Sequence, residues 1–169
     1  MPVVALLDKG IHDRKGFQCG VEPLDRYIRE RAAADAKKSV AVCYVLTADD
    51  DPATIIGYYT LSNLSVELTG LPSALQKRLP KYPQIPGTLI DRLAVSLKHT
   101  KQGFGEHLLL DALKRACDAR NVIGSALVIV DAKDKAAAEF YAQYDFQPTQ
   151  SNPRRLYILM GTITKLFEL

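Results

Sequence analysis

Apolar residues recur along the chain with two different periods, and each change of period marks an element. Between Pro23 and Lys38, Leu24, Tyr27, Ile28 and Arg31 fall at i, i+3, i+4 and i+7. Arg31–Lys38 is rich in good helix formers, so the whole segment is expected to be helical. Glu22 and Pro23 suit its first turn. Val40–Ala48 is β-branched and aromatic and reads as a strand, Asp49–Pro52 as a turn, and Thr54–Ser62 as a second strand that completes a hairpin. Leu64–Gly87 is less regular and carries Pro72, Pro80, Pro83 and Pro86; a short helix is expected at Ser73–Leu79. Thr88–Leu97 reads as a strand, Thr100–Gly105 as a glycine-bearing turn, and Glu106–Arg120 as an amphipathic helix with Leu109, Ala112, Leu113 and Ala116 on one face. Asn121–Gly124 ends that helix. Ala126–Asp131 is a continuous apolar run, the mark of a strand buried on both faces. Lys135–Tyr144 reads as a helix, Arg155–Gly161 as a final strand and Leu166–Leu169 as a short tail. The order α, β, β, (α), β, α, β, α, β predicts an α/β fold with a mixed sheet.

Composition narrows the class. At 169 residues the chain is expected to form one domain, 1–169. With 47% apolar and 24% charged residues it can bury enough surface to offset its ordering entropy, which excludes disorder. No apolar run approaches the roughly 20 residues of a membrane helix, and no secretory signal is expected. Cys19, Cys43 and Cys117 are widely spaced, cannot pair off and form no CxxC, so a reduced, cytoplasmic compartment without a structural metal is expected. The net charge of +3 is too small by itself to imply a polyanionic partner.

Candidate chemistry begins where the strand ending Leu93-Ala94-Val95 meets His99-Thr100-Lys101-Gln102-Gly103-Phe104-Gly105-Glu106 and then a helix. Two glycines at spacing two let successive N–H groups turn toward one point, and the helix N-terminus adds unpaired N–H groups and the positive end of its dipole. That arrangement cradles a pyrophosphate. An ordinary tight β–α connection uses the same glycines. The Walker A spacing and the third glycine of the dinucleotide fingerprint are both missing.

About 35 residues on stands Ala138-Glu139-Phe140-Tyr141-Ala142-Gln143-Tyr144-Asp145-Phe146. Taken together, LAV, QGFGEHLLLDAL and ALVIVDAKDKAAAEFYAQYDFQP resemble the core of the GNAT N-acetyltransferases. The opening FQCGVEPLDRYIRERA, the IIGYYTLSNLSV strand and the LPKYPQIPGTLIDRLAVS block resemble one subgroup, the toxins of type II toxin–antitoxin modules that acetylate aminoacyl-tRNA. The resemblance covers Phe17 to Met160. Thr100 stands where the family's pattern has Gln or Arg, and Asp145 where it has Gly; Asp is among the residues that best tolerate positive φ.

The resemblance implies a GNAT-like acyl-CoA N-acyltransferase fold and acetyl-CoA as co-substrate. It gives Leu93, Ala94 and Val95 to the pantetheine arm, and Lys101, Gln102, Gly103, Phe104, Gly105 and Glu106 to the pyrophosphate. It makes Tyr141 the catalytic acid, since a phenol with a pKa of about 10 keeps its proton at neutral pH; a half-buried amphipathic tyrosine is the bland alternative. Phe140 and Tyr144 are expected to pack, His99 to be a solvent-exposed turn residue, His107 to lie on the helix face and Lys133 to be a solvated loop lysine, with contact to CoA phosphates as its alternative. No carboxylate or histidine presents itself as the general base. From Leu71 to Lys101 six basic residues face Asp91 alone, and Arg26–Lys38 and Arg154–Arg155 are basic too. The resemblance makes Lys77, Arg78, Lys81 and Arg92 candidates for contact with tRNA phosphates. It also implies a ribbon–helix–helix antitoxin and a homodimer as partners. Two other functions fit the same residues: acetylation of a protein or small-molecule amine, and a non-catalytic CoA- or nucleic-acid-binding module.

Overall fold

The computed structural model describes residues 1–167. The N-terminal residues form strand β1 (Pro2–Leu6), which sequence pattern had not marked; it pairs antiparallel with β2 (Val42–Ala48), Val4 opposite Leu46. β2 pairs antiparallel with β3 (Gly57–Glu67), where Tyr44 opposes Tyr59 and their rings stack at 5.3 Å between centroids. The hairpin therefore exists, with its second strand starting later and running longer than Thr54–Ser62. The expected single helix is two: α1 (Glu22–Glu30) and α2 (Ala32–Lys37), broken at Arg31, whose φ of −120° leaves the helical region. Glu22 and Pro23 do occupy the first turn of α1.

Further along come α3 (Ser73–Gln76), shorter than expected, β4 (Gln84–Val95), α4 (Phe104–Ala119), β5 (Leu127–Asp131), α5 (Lys135–Ala142), β6 (Gln147–Pro148), β7 (Arg155–Leu159) and α6 (Met160–Leu166). β6 and α6 escaped the sequence pattern, and Leu166 closes α6 rather than opening a tail; Glu168 and Leu169 lie outside the described residues. Sheet order is β1-β2-β3-β4-β5-β7-β6. β4 and β5 are parallel, Gly87 opposite Leu127, and the 16-residue α4 supplies the crossover that a parallel pair needs. β5 is antiparallel to β7, and β7 to β6, so the sheet is mixed, as the element order predicted.

Contacts divide the chain into two compact units, residues 1–62 with 91–112, and residues 63–90 with 113–169. In the first, Phe17, Tyr27, Ile28, Ala32, Val45, Ile55, Tyr58 and Ala94 form the core. Tyr58 is fully buried and donates to the Leu24 carbonyl at 2.6 Å, which ties β3 to α1. In the second, Leu68, Leu71, Leu75, Ile85, Leu127 and Ile129 form the core. Leu127–Val130 are all buried, as the unbroken apolar run required; each such side chain stabilises the fold by about 1.5–3 kcal/mol.

Candidate active site

In the first unit, β4 ends at Val95 and Ser96 makes the corner. The Ser96 N–H donates to the Ile56 carbonyl at 2.8 Å, and its Oγ accepts from the Lys98 N–H at 3.3 Å, capping a single 3-10 turn over Leu97–His99. The chain then turns left-handed twice, at Lys101 (φ 61°) and Gly103 (φ 81°), around Gln102. α4 begins at Phe104, and its first α-helical bond runs from the His107 N–H to the Gly103 carbonyl at 3.1 Å. The N–H groups of Gly103, Phe104, Gly105 and Glu106 thus precede the helical ladder and remain available to an anion, with the dipole of four helical turns behind them. A Cβ built on Gly103 meets nothing within 4 Å, so the space the missing side chain leaves is open to a ligand. These residues fit a pyrophosphate. They also explain the first glycine: a side chain at φ 81° would be strained and would stand in that space.

Two neighbours brace the cradle. Gly57, where β3 begins, leaves room for β4 and α4: a Cβ there would lie 2.7 Å from the Ala94 carbonyl and 2.8 Å from Leu108 Cδ1. Tyr59 donates to the Asp111 carboxylate at 2.6 Å and anchors α4. Leu93 and Val95 are half-buried and Ala94 is buried, while Lys101, Gln102 and Glu106 are exposed. Glu106 stands in the first turn of α4, where the dipole favours a carboxylate. His107 is exposed on the helix face, as expected. His99 corrects its expectation. It is half-buried, its ring meets Phe104 edge-on at 6.1 Å, and its Nδ1 is buried without a hydrogen-bond partner among the described residues. The contact with Phe104, at the start of α4, takes the ring out of solvent. Arg92 is half-buried, with its guanidinium 3.5 Å above the Tyr27 ring centroid and 2.8 Å from Asp91. Tyr27 in turn donates to Asp35 at 2.8 Å, and burial raises its pKa first, with the Asp35 bond adding to the shift.

In the second unit, Asp134 caps α5 by accepting the Ala137 N–H at 2.8 Å. This cap has a sequence signal, an Asp directly before the helix-forming run Lys135–Ala138. α5 presents Tyr141, which is 8% exposed and packed between Phe140 (5.2 Å) and Phe146 (5.5 Å). Burial pushes its phenol up to about 12, so the hydroxyl is protonated at neutral pH. Among the described residues nothing hydrogen-bonds that hydroxyl. The helix ends through Asp145, whose φ of 68° is the left-handed conformation expected where the family has glycine; for an L residue that conformation costs roughly 1–2 kcal/mol. Lys133 is exposed, as expected, and its carbonyl accepts from Arg154 at 3.4 Å. Arg155 is tied to Asp131 by bonds of 2.7 and 2.8 Å. Lys77, Arg78 and Lys81 are exposed just after α3, where Lys81 Nζ donates to the Gln76 carbonyl at 3.1 Å. Leu93–Val95, Lys101–Glu106 and Arg92 therefore belong to the first unit, and Tyr141, Lys77, Arg78 and Lys81 to the second. Among the described residues no three His, Cys, Asp or Glu side chains converge as metal ligands, and no helix is long and apolar enough to cross a membrane.

A mixed sheet in which a strand end runs through a left-handed glycine turn into a helix N-terminus is the pattern of acyl-CoA-dependent N-acyltransferases. Residues 12–146 match the model of the acetyltransferase (GNAT) family, and the chain belongs to that family. It is 30% identical over 171 residues to a probable toxin TacT of Sinorhizobium fredii, covering 97% of this chain and 94% of that protein. It is 33% identical over 148 residues to a tRNA-acetylating toxin of Mycobacterium tuberculosis, covering 88% and 86% respectively. Among solved structures, AtaT complexed with acetyl-methionyl-tRNAfMet superimposes with a TM-score of 0.90 at 26% identity, covering 99% of each chain.

Proposed function

We propose that this chain, acting as a single GNAT domain, transfers the acetyl group of acetyl-CoA to the α-amino group of an aminoacyl-tRNA and so blocks translation as the toxin of a type II toxin–antitoxin module. The observation that carries the chemistry is the left-handed Lys101–Gly103 turn opening onto the free N–H groups of α4. The tRNA-acetylating relative and the AtaT complex with acetyl-methionyl-tRNAfMet support the substrate.

In this reading, Lys101, Gln102, Gly103, Phe104, Gly105 and Glu106 hold the pyrophosphate, and the backbone of Leu93, Ala94 and Val95 pairs with the pantetheine arm as a strand would. The amine nitrogen attacks the thioester carbonyl, a C–N bond forms, and the C–S bond breaks. Tyr141 gives its proton to the departing sulfur, and the proton released by the acylated nitrogen restores the phenol. The products are a neutral amide and a free thiol. No strong base is required: an α-amine has a pKa of about 7.7–8.0, against about 10.4 for a lysine, so a useful fraction is already nucleophilic at neutral pH. Lys77 and Lys81, exposed after α3, face the tRNA phosphates, whereas Arg92 is held against Tyr27 and Asp91. The protein works in the cytoplasm, forms a homodimer and is neutralised by a ribbon–helix–helix antitoxin.

The test combines purified protein, acetyl-CoA and charged tRNA and measures N-acetyl-aminoacyl-tRNA. Tyr141→Phe is expected to cut kcat by about 10²–10⁴-fold without loss of stability, because the hydroxyl it removes makes no hydrogen bond among the described residues. Transfer to lysine peptides or polyamines but not to charged tRNA would replace the substrate, and full activity in Tyr141→Phe would remove the residue from its role.

A further inference from the structure

The second unit carries a pocket of about 370 Å³ that uses neither the cradle nor Tyr141. This volume lies within the range of small-ligand sites, roughly 300–1,000 Å³. Leu75 and Arg78 line it from α3 and the turn after it, Asp145 and Gln147 from the corner between α5 and β6, Tyr157 from β7 and Thr162 from α6. Two of these walls carry opposite charge. Among the described residues, neither the Arg78 guanidinium nor the Asp145 carboxylate makes an ion pair or a side-chain hydrogen bond. They share a cavity without neutralising one another, so both keep their full bonding capacity for whatever enters. Asp145 also holds its carboxylate at φ 68°, where glycine would be unstrained. Strained residues cluster at functional sites, and this one stands beside an unpaired partner. Tyr157 is half-buried, and Arg78 lies close enough to pull down the phenol pKa that burial raises.

We infer that this pocket recognises an unpaired guanine base. The Tyr157 ring and Leu75 offer a surface for a flat base, as single-stranded bases are held in other proteins. Arginine binds the O6 and N7 acceptors of guanine in a bidentate manner. A carboxylate accepts from the N1–H and N2–H donors on the opposite edge. Adenine places an N6 donor where Arg78 needs an acceptor and has no N1 donor for Asp145; pyrimidines lack the N7 edge. Guanine is the base that satisfies both charges, with Gln147 and Thr162 left to bond the remainder. Arg78 then serves a base edge rather than a phosphate, and the inference stands whether or not tRNA is the acetyl acceptor.

The source of the guanine is either a free nucleotide or single-stranded RNA, and titration calorimetry on the full chain separates them. Guanosine 5′-monophosphate is expected to bind at least ten-fold more tightly than the adenosine, cytidine and uridine monophosphates. A UUGUU oligonucleotide binding well above guanosine monophosphate assigns the site to RNA, whereas equal affinity assigns it to the free nucleotide. Asp145→Asn tolerates positive φ, and Asp145→Gly relieves it, so both variants fold; both are expected to lose the guanine preference by ten-fold or more. Equal binding of the four nucleotides, no binding of guanosine monophosphate at millimolar concentration, or an Asp145→Asn protein that binds it as the wild type does would overturn the inference.

Discussion

Gly103→Ala isolates the turn from the rest of the fold. A Cβ at this position meets nothing within 4 Å, so steric conflict adds nothing to the cost of the substitution. What remains is the conformation: at φ 81° an L side chain costs roughly 1–2 kcal/mol. For a chain of this size each kcal/mol moves Tm by about 2–4 °C, so a fall of about 2–8 °C is expected. The larger effect falls on the ligand. The added methyl occupies the open space through which phosphate oxygens would approach the N–H groups of Gly103 and the first turn of α4. KM for acetyl-CoA is expected to rise at least about ten-fold, equivalent to about 1.4 kcal/mol, with kcat at saturation within about two-fold of wild type. The assay is steady-state acetyl transfer across a range of acetyl-CoA concentrations, paired with thermal unfolding. Gly161→Ala is the control, because it also enters open space but sits on α6 without a left-handed φ; it is expected to be neutral or stabilising. An unchanged KM beside a lowered Tm would refute the cradle, and an unchanged Tm would refute the left-handed turn.

Asp134→Ala removes the cap of α5 and is expected to cost about 0.5–2 kcal/mol of stability, read as a lower midpoint in urea; because α5 carries Tyr141, kcat should fall with it, and an intact kcat would separate the helix end from catalysis. His12 Nδ1 accepts the Asp8 N–H at 2.9 Å, and desolvation lowers its pKa below the ordinary 6.5. The unfolded chain therefore takes up this proton first as pH falls through 6.5, so stability should drop below that pH and level off once the folded His12 is protonated as well. His12→Asn keeps an acceptor but does not titrate, and its Tm between pH 8 and 5 should lack this component; parallel Tm profiles would exclude His12. Removing Lys77 and Lys81 together should weaken tRNA binding and flatten the dependence of log K on log salt by about 0.7–0.9 for each phosphate that is no longer neutralised; an unchanged slope would move the RNA surface elsewhere.

Local pattern carried much of this fold because burial imprints a period on the chain. Leu127–Val130 announced a strand buried on both faces, the Leu109–Ala116 stripe announced α4, and the Gly103–Gly105 pair announced the turn between strand and helix. Asp145 was legible as a positive-φ residue only through the family resemblance, which has glycine at that position. Family resemblance, rather than periodicity, supplied the roles of Leu93–Val95 and Tyr141.

The chain's own residues thus determined its class, its mixed α/β order and the location of its glycine turn, all of which depend on neighbours a few positions apart. Tertiary structure decided what depends on partners far along the chain. β1 is a strand because β2, some 40 residues later, completes its hydrogen bonds. Tyr59 finds Asp111 across 52 residues. Arg92, a sequence candidate for tRNA phosphates, lies over Tyr27, and His99, expected in solvent, is half-buried against Phe104. The single helix from Pro23 became two because Arg31 leaves the helical region, although its local propensity favours continuation. Periodicity reports that a face is buried; it holds no record of what buries it, and that second fact fixes where a charge or a ring ends up.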